Sequence, residues 1–363
     1  MIRPVRVAEQ VPSHEKCFSP PEMKPNDQPL RTSEFRPADS SVEFLAAINE
    51  LVSAGERRAP AAVDDRLPII LVVGAPRSGT TVLMQWLKAS GFAVPSNLAA
   101  RFFPNPRFAG MLQRLLSDPS LGYRDELAVG AAGDSFSSVF GKTRGVLAPH
   151  EFSFYFRRFF PVTVGESLHP EQLGACDTAG FLAGLRGFGS ALGSPPAVKG
   201  MLVQYDLSLF LADPRVIIIH TIRDEADNVV SLLSHRSSVA GDVREWISVR
   251  PPEYAWLREL SPVEQVAGQV HFTNIHLGCQ LRSFPEERVL LLPHDDFCAH
   301  PARLHALLSE KLSAAGFEWT RPYDGPESFT ARHYDPASVE YREAVAALGR
   351  VRELAKDRWL ISP

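Results

Sequence analysis

Seven residues apolar on both faces, Leu67-Pro68-Ile69-Ile70-Leu71-Val72-Val73, run straight into Gly74-Ala75-Pro76-Arg77-Ser78-Gly79-Thr80-Thr81. A helical pattern follows, Val82, Leu83, Trp86 and Leu87, closed by Gly91. A strand with no polar face has to be covered on both sides, which is the situation of a central strand in a parallel sheet. Two later apolar runs repeat the arrangement. Arg215-Val216-Ile217-Ile218-Ile219-His220 precedes Arg223-Asp224 and a helix through about Leu233. Val289-Leu290-Leu291-Leu292 precedes His294-Asp295-Asp296-Phe297 and a helix near Pro301 to Leu312. Short β-runs that each feed a helix imply crossover connections, so the expected fold is α/β, a doubly wound three-layer arrangement with helices on both faces of a central parallel sheet.

A length of 363 residues leaves room for two ordinary domains or one larger α/β domain with insertions. Residues 1–40 hold seven of the 30 prolines among mixed polar residues, too few apolar groups to offset the entropy of ordering, and read as an arm or tail. Residues 41–363 read as one domain. Ser40 with Glu43 forms a capping box, and Phe44, Leu45, Ile48, Leu51 and Val52 then recur at helical spacing, which predicts a helix of about 13 residues ending before the Gly55 to Pro60 region. Between the first two strands an aromatic-rich, mostly helical insertion at about residues 95–195 is the natural place for a second ligand.

The formal net charge of -4 argues against a general nucleic-acid binder, which needs a basic face to release counterions. It leaves room for a local cationic pocket. Cys17, Cys176, Cys279 and Cys298 form no pair at metal-ligand spacing and read as reduced, mostly buried thiols. The first residues carry no apolar core of a secretory signal, and no stretch approaches the ~18 apolar residues of a membrane span, so a cytoplasmic location is expected.

The loop Gly74 to Gly79 has the G-x-x-x-x-G frame of a Walker A sequence, but Thr80 stands where the phosphate-clamping lysine belongs. Successive backbone N–H groups and a helix N-terminus still make an anion cradle, and Thr80 and Thr81 add hydroxyls. The cation that would reach a terminal phosphate is missing, and its place in the loop is taken by Arg77, an always-charged planar fork. A triphosphate is the wrong guest. Further along, Thr221-Ile222-Arg223-Asp224-Glu225-Ala226-Asp227-Asn228-Val229-Val230-Ser231 puts an arginine at a helix start and a serine two turns on, which permits convergence on one anion.

These two segments resemble the cofactor motifs of the sulfotransferases that use 3′-phosphoadenosine 5′-phosphosulfate (PAPS), in the branch that carries PRSGTT. The resemblance implies that Arg77, Ser78, Gly79, Thr80 and Thr81 bind the 5′-phosphosulfate, and that Arg223 and Ser231 contact the 3′-phosphate of the same cofactor. Glu225 takes the place of the family's proline. Arg288 to Phe297 resembles a third family segment ending in Y-E-D-L, from which His294 and Asp295 depart. Lys199 in Val198-Lys199-Gly200-Met201 falls where the family has the lysine of K-x-P, with the proline missing. The resemblance spans about residues 67–315. It implies transfer of a sulfuryl group to a hydroxyl of a small molecule, glycan or glycolipid, with PAPS as the sole cofactor and no metal.

In-line sulfuryl transfer is mostly alignment and stabilisation of charge on the leaving phosphate, so cations must face the bridging oxygen. Arg77 and Lys199 are the candidates. The acceptor hydroxyl also needs a general base within hydrogen-bond reach. The family's glutamate position is Ala99 here, and the position of an alternative family histidine is Met201. The replacement is expected from the insertion, where Pro149-His150-Glu151-Phe152 sets an imidazole beside a carboxylate: Glu151 first, His150 second, Asp134 a further possibility. A plain helix start with an acidic first turn explains the same residues.

Phe152, Tyr155, Phe156, Phe159 and Phe160 share one helical face, a pattern of core packing first and of an acceptor wall second. Lys142 reads as a loop lysine near substrate. His271 and His276, five apart, point to different helix faces and make no metal pair. Two rival functions stand beside the sulfotransferase: a P-loop kinase or nucleoside triphosphatase, disfavoured by Thr80, and an inactive binding scaffold for adenosine 3′,5′-bisphosphate.

Overall fold

The computed structural model describes residues 39–58, 64–121, 136, 138, 142–151, 153–162 and 164–359. All but the last two residues of the expected proline-rich arm lie outside that set, as do Cys17 and Asp134. Four strands, β1 (Ile69–Gly74), β2 (Ala197–Lys199), β3 (Val216–Ile222) and β4 (Val289–Pro293), form one parallel sheet in the order β2-β1-β3-β4. Helix α1 (Asp39–Arg58) precedes it. Between β1 and β2 come α2 (Thr80–Ala89), α3 (Pro106–Ser117), the short α4 (Ser153–Phe156) and α5 (Pro170–Leu173), and α6 (Thr178–Leu192). Helices α7 (Glu225–Ala240), α8 (Tyr254–Leu257) and α9 (Pro262–Leu281) separate β3 from β4, and α10 (His294–Ala299), α11 (Pro301–Ala314) and α12 (Val339–Trp359) follow.

Strand alternation builds the layers. Ile69, Leu71 and Val73 of β1 face a core with Val216, Ile218 and the inserted aromatics Phe103, Tyr155, Phe156, Phe181 and Phe188. Ile70 and Val72 face the opposite core with Ile217, Ile219, Leu83, Trp86 and Phe297. The α/β three-layer expectation holds, with a third core where α7, α9 and α12 meet through Val229, Val266, Val270, Ala347 and Val351.

Several local expectations change. Strand β2 has only three residues, too few to show a period, and exists because Ala197, Val198 and Lys199 pair with Ile70, Leu71 and Val72. Helix α1 runs 20 residues, through Gly55. Its extension is tertiary: the Glu56 carboxylate accepts the N–H groups of Arg107 (2.8 Å) and Phe108 (2.9 Å), capping the start of α3. Helix α7 continues past Leu233 to Ala240, ended by Gly241 at φ +76°. The aromatic run is one helical turn, α4, followed by a turn. Tyr155, Phe156 and Phe160 are buried around Phe181, so they pack the core rather than wall a pocket. Of the described cysteines Cys298 is buried, Cys176 half-buried and Cys279 exposed, all free, so burial is not the rule for them. His271 bonds Glu225 and His276 bonds Glu253, on separate sides of α9. No helix among the described residues is long and apolar enough to cross a membrane.

Candidate functional site

The glycine loop turns at the C-terminal end of β1. A Cβ on Gly74 would stand 2.3 Å from Thr221 Oγ1 of β3, and one on Gly79 would stand 2.3 Å from His294 Nδ1 of α10. Gly79 also has φ +92°, the left-handed region, so both close approach and backbone require glycine there. Arg77 has φ +70° without that freedom, a conformation that the surrounding structure has to impose. Ser78 anchors the turn, its N–H donating to the Ala75 carbonyl (3.2 Å) and its hydroxyl bonding Thr221 Oγ1 (2.6 Å). Helix α2 then opens with no acidic residue in its first turn. Its first N–H groups have no intrahelical acceptor and carry the positive end of the helix dipole.

Arg77 crosses from the loop to α7, where its Nε donates to Ser231 Oγ at 3.0 Å. Arg223, just past β3, donates through Nη1 to the Arg77 carbonyl (3.2 Å) and through Nη2 to the Arg332 carbonyl, and lies 3.6 Å from Asp227 Oδ2. Its Nε is buried and has no hydrogen-bond partner among the described residues. Burial lowers the Arg77 pKa, with Arg223 and Arg332 adding like charge beside it. One end of the cleft thus gathers three arginines, from the loop, from the β3–α7 turn and from residue 332. Asp224 caps α7 by accepting the Asp227 N–H at 2.8 Å. Glu225, where the family has proline, is fixed from three sides by His271 (3.2 Å), Asn274 (3.0 Å) and Arg352 (2.8 Å). Burial works to raise its pKa, but those hydrogen bonds outweigh it and hold the carboxyl at about 2.

The other end is an ion pair. Lys199, at the end of β2 with its side chain 4% exposed, donates to Glu151 Oε1 (2.7 Å) and to Thr81 Oγ1 (3.1 Å). Glu151 lies outside any helix or strand, ahead of α4 and not in a helix first turn, and its side chain is 49% exposed. Lys199 holds the carboxylate from the protein side, while half of the Glu151 side chain meets solvent. Desolvation there works to raise its pKa, and the Lys199 ammonium outweighs it, so the carboxyl is held below its usual range. Burial lowers the pKa of His150 and keeps the imidazole neutral.

The expected residues therefore come together at one end of the sheet: Arg77, Ser78, Gly79, Thr80, Thr81, Arg223 and Ser231 with Lys199, Glu151 and His150. Arg77, expected at the bridging oxygen, is engaged with Ser231. Sequence reasoning missed His294, which lies against Gly79, and also Asp227, Arg332 and His333. Asp227 and His294 lie inside the second and third segments but were given no role there, while Arg332 and His333 lie in no motif, and residue 332 is 109 positions from Arg223. Among the described residues, no group of three or more His, Cys, Asp or Glu side chains is arranged to hold a metal ion.

Residues 68–321 match the sulfotransferase family, and the chain belongs to that family. Among solved structures it is similar to sulfotransferase STF9 from Mycobacterium avium, at 14% identity over 90% of this chain and 79% of that one, with a TM-score of 0.47. It is similar also to sulfotransferase STF1 from Mycobacterium tuberculosis H37Rv (14% identity, 88% and 85% covered, TM-score 0.44). A third similar structure is the sulfotransferase domain of the Synechococcus PCC 7002 olefin synthase (14% identity, 78% and 94% covered, TM-score 0.35). No curated protein matches the sequence.

Proposed function

We propose that this sulfotransferase takes its sulfuryl group from PAPS and passes it to a hydroxyl of a small-molecule or carbohydrate acceptor. The observation that carries this reading is the 3.0 Å hydrogen bond from Arg77 Nε to Ser231 Oγ, which joins the glycine loop to the second anion motif in one cleft. A loop without lysine, joined to an arginine-rich site, suits a nucleotide with separate 5′ and 3′ anionic groups better than a triphosphate.

The residues present fit such a cofactor. Gly74 and Gly79 let the loop pack directly against Thr221 and His294, which fixes the turn, and the buried Arg223 Nε has a donor to spare. Ser78, Gly79, Thr80 and Thr81 with the N-terminus of α2 would hold the 5′-phosphosulfate, and Arg77, Arg223 and Ser231 the 3′-phosphate. Bound there, PAPS supplies a sulfuryl group activated by its link to phosphate. Lys199, held beside Thr81, is the cation available to an oxygen that gains charge as the bond breaks. Glu151, ionised through its pairing with Lys199, accepts the proton of the acceptor hydroxyl, with neutral His150 next to it as the second base.

The test compares thermal stabilisation by adenosine 3′,5′-bisphosphate and by ATP with Mg²⁺, then follows sulfate transfer from PAPS to an acceptor panel. Preference for the bisphosphate together with turnover supports the proposal. Preference for ATP overturns it, and bisphosphate binding without turnover on any acceptor leaves an inactive binding protein.

A further inference from the structure

The segment 329–335 crosses the arginine end of the cleft and is fastened at both margins. Phe329 packs on Phe297 (ring centroids 5.4 Å), and its N–H donates to the Cys298 carbonyl at 2.7 Å. At the other margin the Asp227 carboxylate, 2% exposed, accepts from His333 Nδ1 (2.9 Å) through Oδ2 and from the Tyr334 N–H (2.9 Å) through Oδ1. Between these points the Arg332 carbonyl accepts from Arg223. The same Asp227 Oδ2 lies 3.6 Å from Arg223 Nη2. One buried carboxylate therefore holds an arginine of the anion site and the chain that covers it.

We infer that Asp227 and His333 form a clasp that seats segment 329–335 over Arg223 and thereby sets how fast the nucleotide leaves the cleft. The inference rests on the nucleotide reading of the site. Neither residue need touch the nucleotide: both are positioning residues, acting through Arg223 and the strap. His333 is suited to be the movable half. Its side chain is 52% exposed and its Nε2 lies 3.5 Å from Asp295 Oδ1, so it can swing away into water without opening a cavity. Asp227 cannot, because removal of its partners would leave a buried charge beside Arg223 alone.

The experiment loads the full chain with radiolabelled adenosine 3′,5′-bisphosphate, chases with unlabelled nucleotide and times release. Loss of the His333 bond to a charged acceptor in His333→Ala is expected to speed release roughly tenfold. His333→Gln, which keeps one donor for Asp227, is expected to restore most of the wild-type rate. The thermal midpoint of the unliganded His333→Ala chain is expected to fall by no more than a few degrees, since the imidazole is half-exposed but buried Asp227 loses one of its partners. Hydrogen exchange at the Tyr334 amide is expected to rise in the same variant with or without nucleotide. Wild-type chain that binds no bisphosphate overturns the nucleotide reading and the clasp's role with it. Wild-type binding with unchanged release in both His333→Ala and Asp227→Asn overturns the clasp alone.

Discussion

Lys199 Nζ stands 2.7 Å from Glu151 Oε1, so the edge strand of the sheet and the inserted chain meet in an ion pair beside the first turn of α2. The lysine is buried and the carboxylate is half-open. Such a pair keeps the carboxylate ionised and the ammonium aimed, and it makes each group's removal costly in a different way.

Glu151→Gln is expected to lower turnover about 10²–10⁴-fold, the usual contribution of a general base, while bisphosphate binding is kept. His150→Ala is expected to cost less. Steady-state rates with a saturating acceptor decide, and full activity in both variants removes the assignment.

Gly79→Ala meets two obstacles, the left-handed backbone and the His294 ring. The backbone alone costs about 1–2 kcal/mol for a residue with a Cβ. Adding His294→Ala clears the ring but not the backbone, so the double variant is expected to recover only part of the lost stability. Urea unfolding of the two single variants and the double variant measures the split.

Arg77→Lys is expected to weaken bisphosphate binding about 10- to 100-fold despite the kept charge, because an ammonium on a flexible stem cannot reproduce the planar fork that bonds Ser231. Calorimetric titration reads this directly. Ser231→Ala is expected to act in the same direction with a smaller loss.

Acid stability separates a buried group from a half-buried one by their pH windows. Burial pushes the His220 pKa from 6.5 down to about 4, so the unfolded chain takes up this proton first and stability falls as pH drops from about 6.5 to about 4. That group contributes at most about 3 kcal/mol over the interval, at 1.36 kcal/mol per unit. Glu225, held at about 2, also has a depressed pKa, so its contribution is present above about 4.5 and is lost only as pH falls toward 2. His220→Asn is therefore expected to flatten the urea midpoint between pH 6.5 and 4.5. Glu225→Gln is expected to leave that interval unchanged and to alter the slope below it.

Much of this was legible in residues that lie next to each other. The runs Ile69 to Val73, Val216 to His220 and Val289 to Leu292 read as strands because burial on both faces demands unbroken apolar sequence, and the loop that follows the first carries a G-x-x-x-x-G frame without the lysine of a Walker A sequence. What stayed hidden were effects made by residues far apart. Strand β2 is three residues whose pairing comes from β1, and α1 passes Gly55 because Glu56 finds the N-terminus of α3.

From the sequence alone came the α/β class, the glycine loop that excludes a terminal-phosphate lysine, and the second motif of Arg223 and Ser231. Those follow from short-range rules: backbone freedom at glycine, apolar periodicity and the fixed charge of arginine. Only the tertiary structure brought Arg77 to Ser231, Glu151 to Lys199 and His333 to Asp227. Each of these pairs joins separate elements across the C-terminal end of the sheet, and no local pattern encodes such a meeting because it depends on how the strands are ordered and where the inserted chain returns.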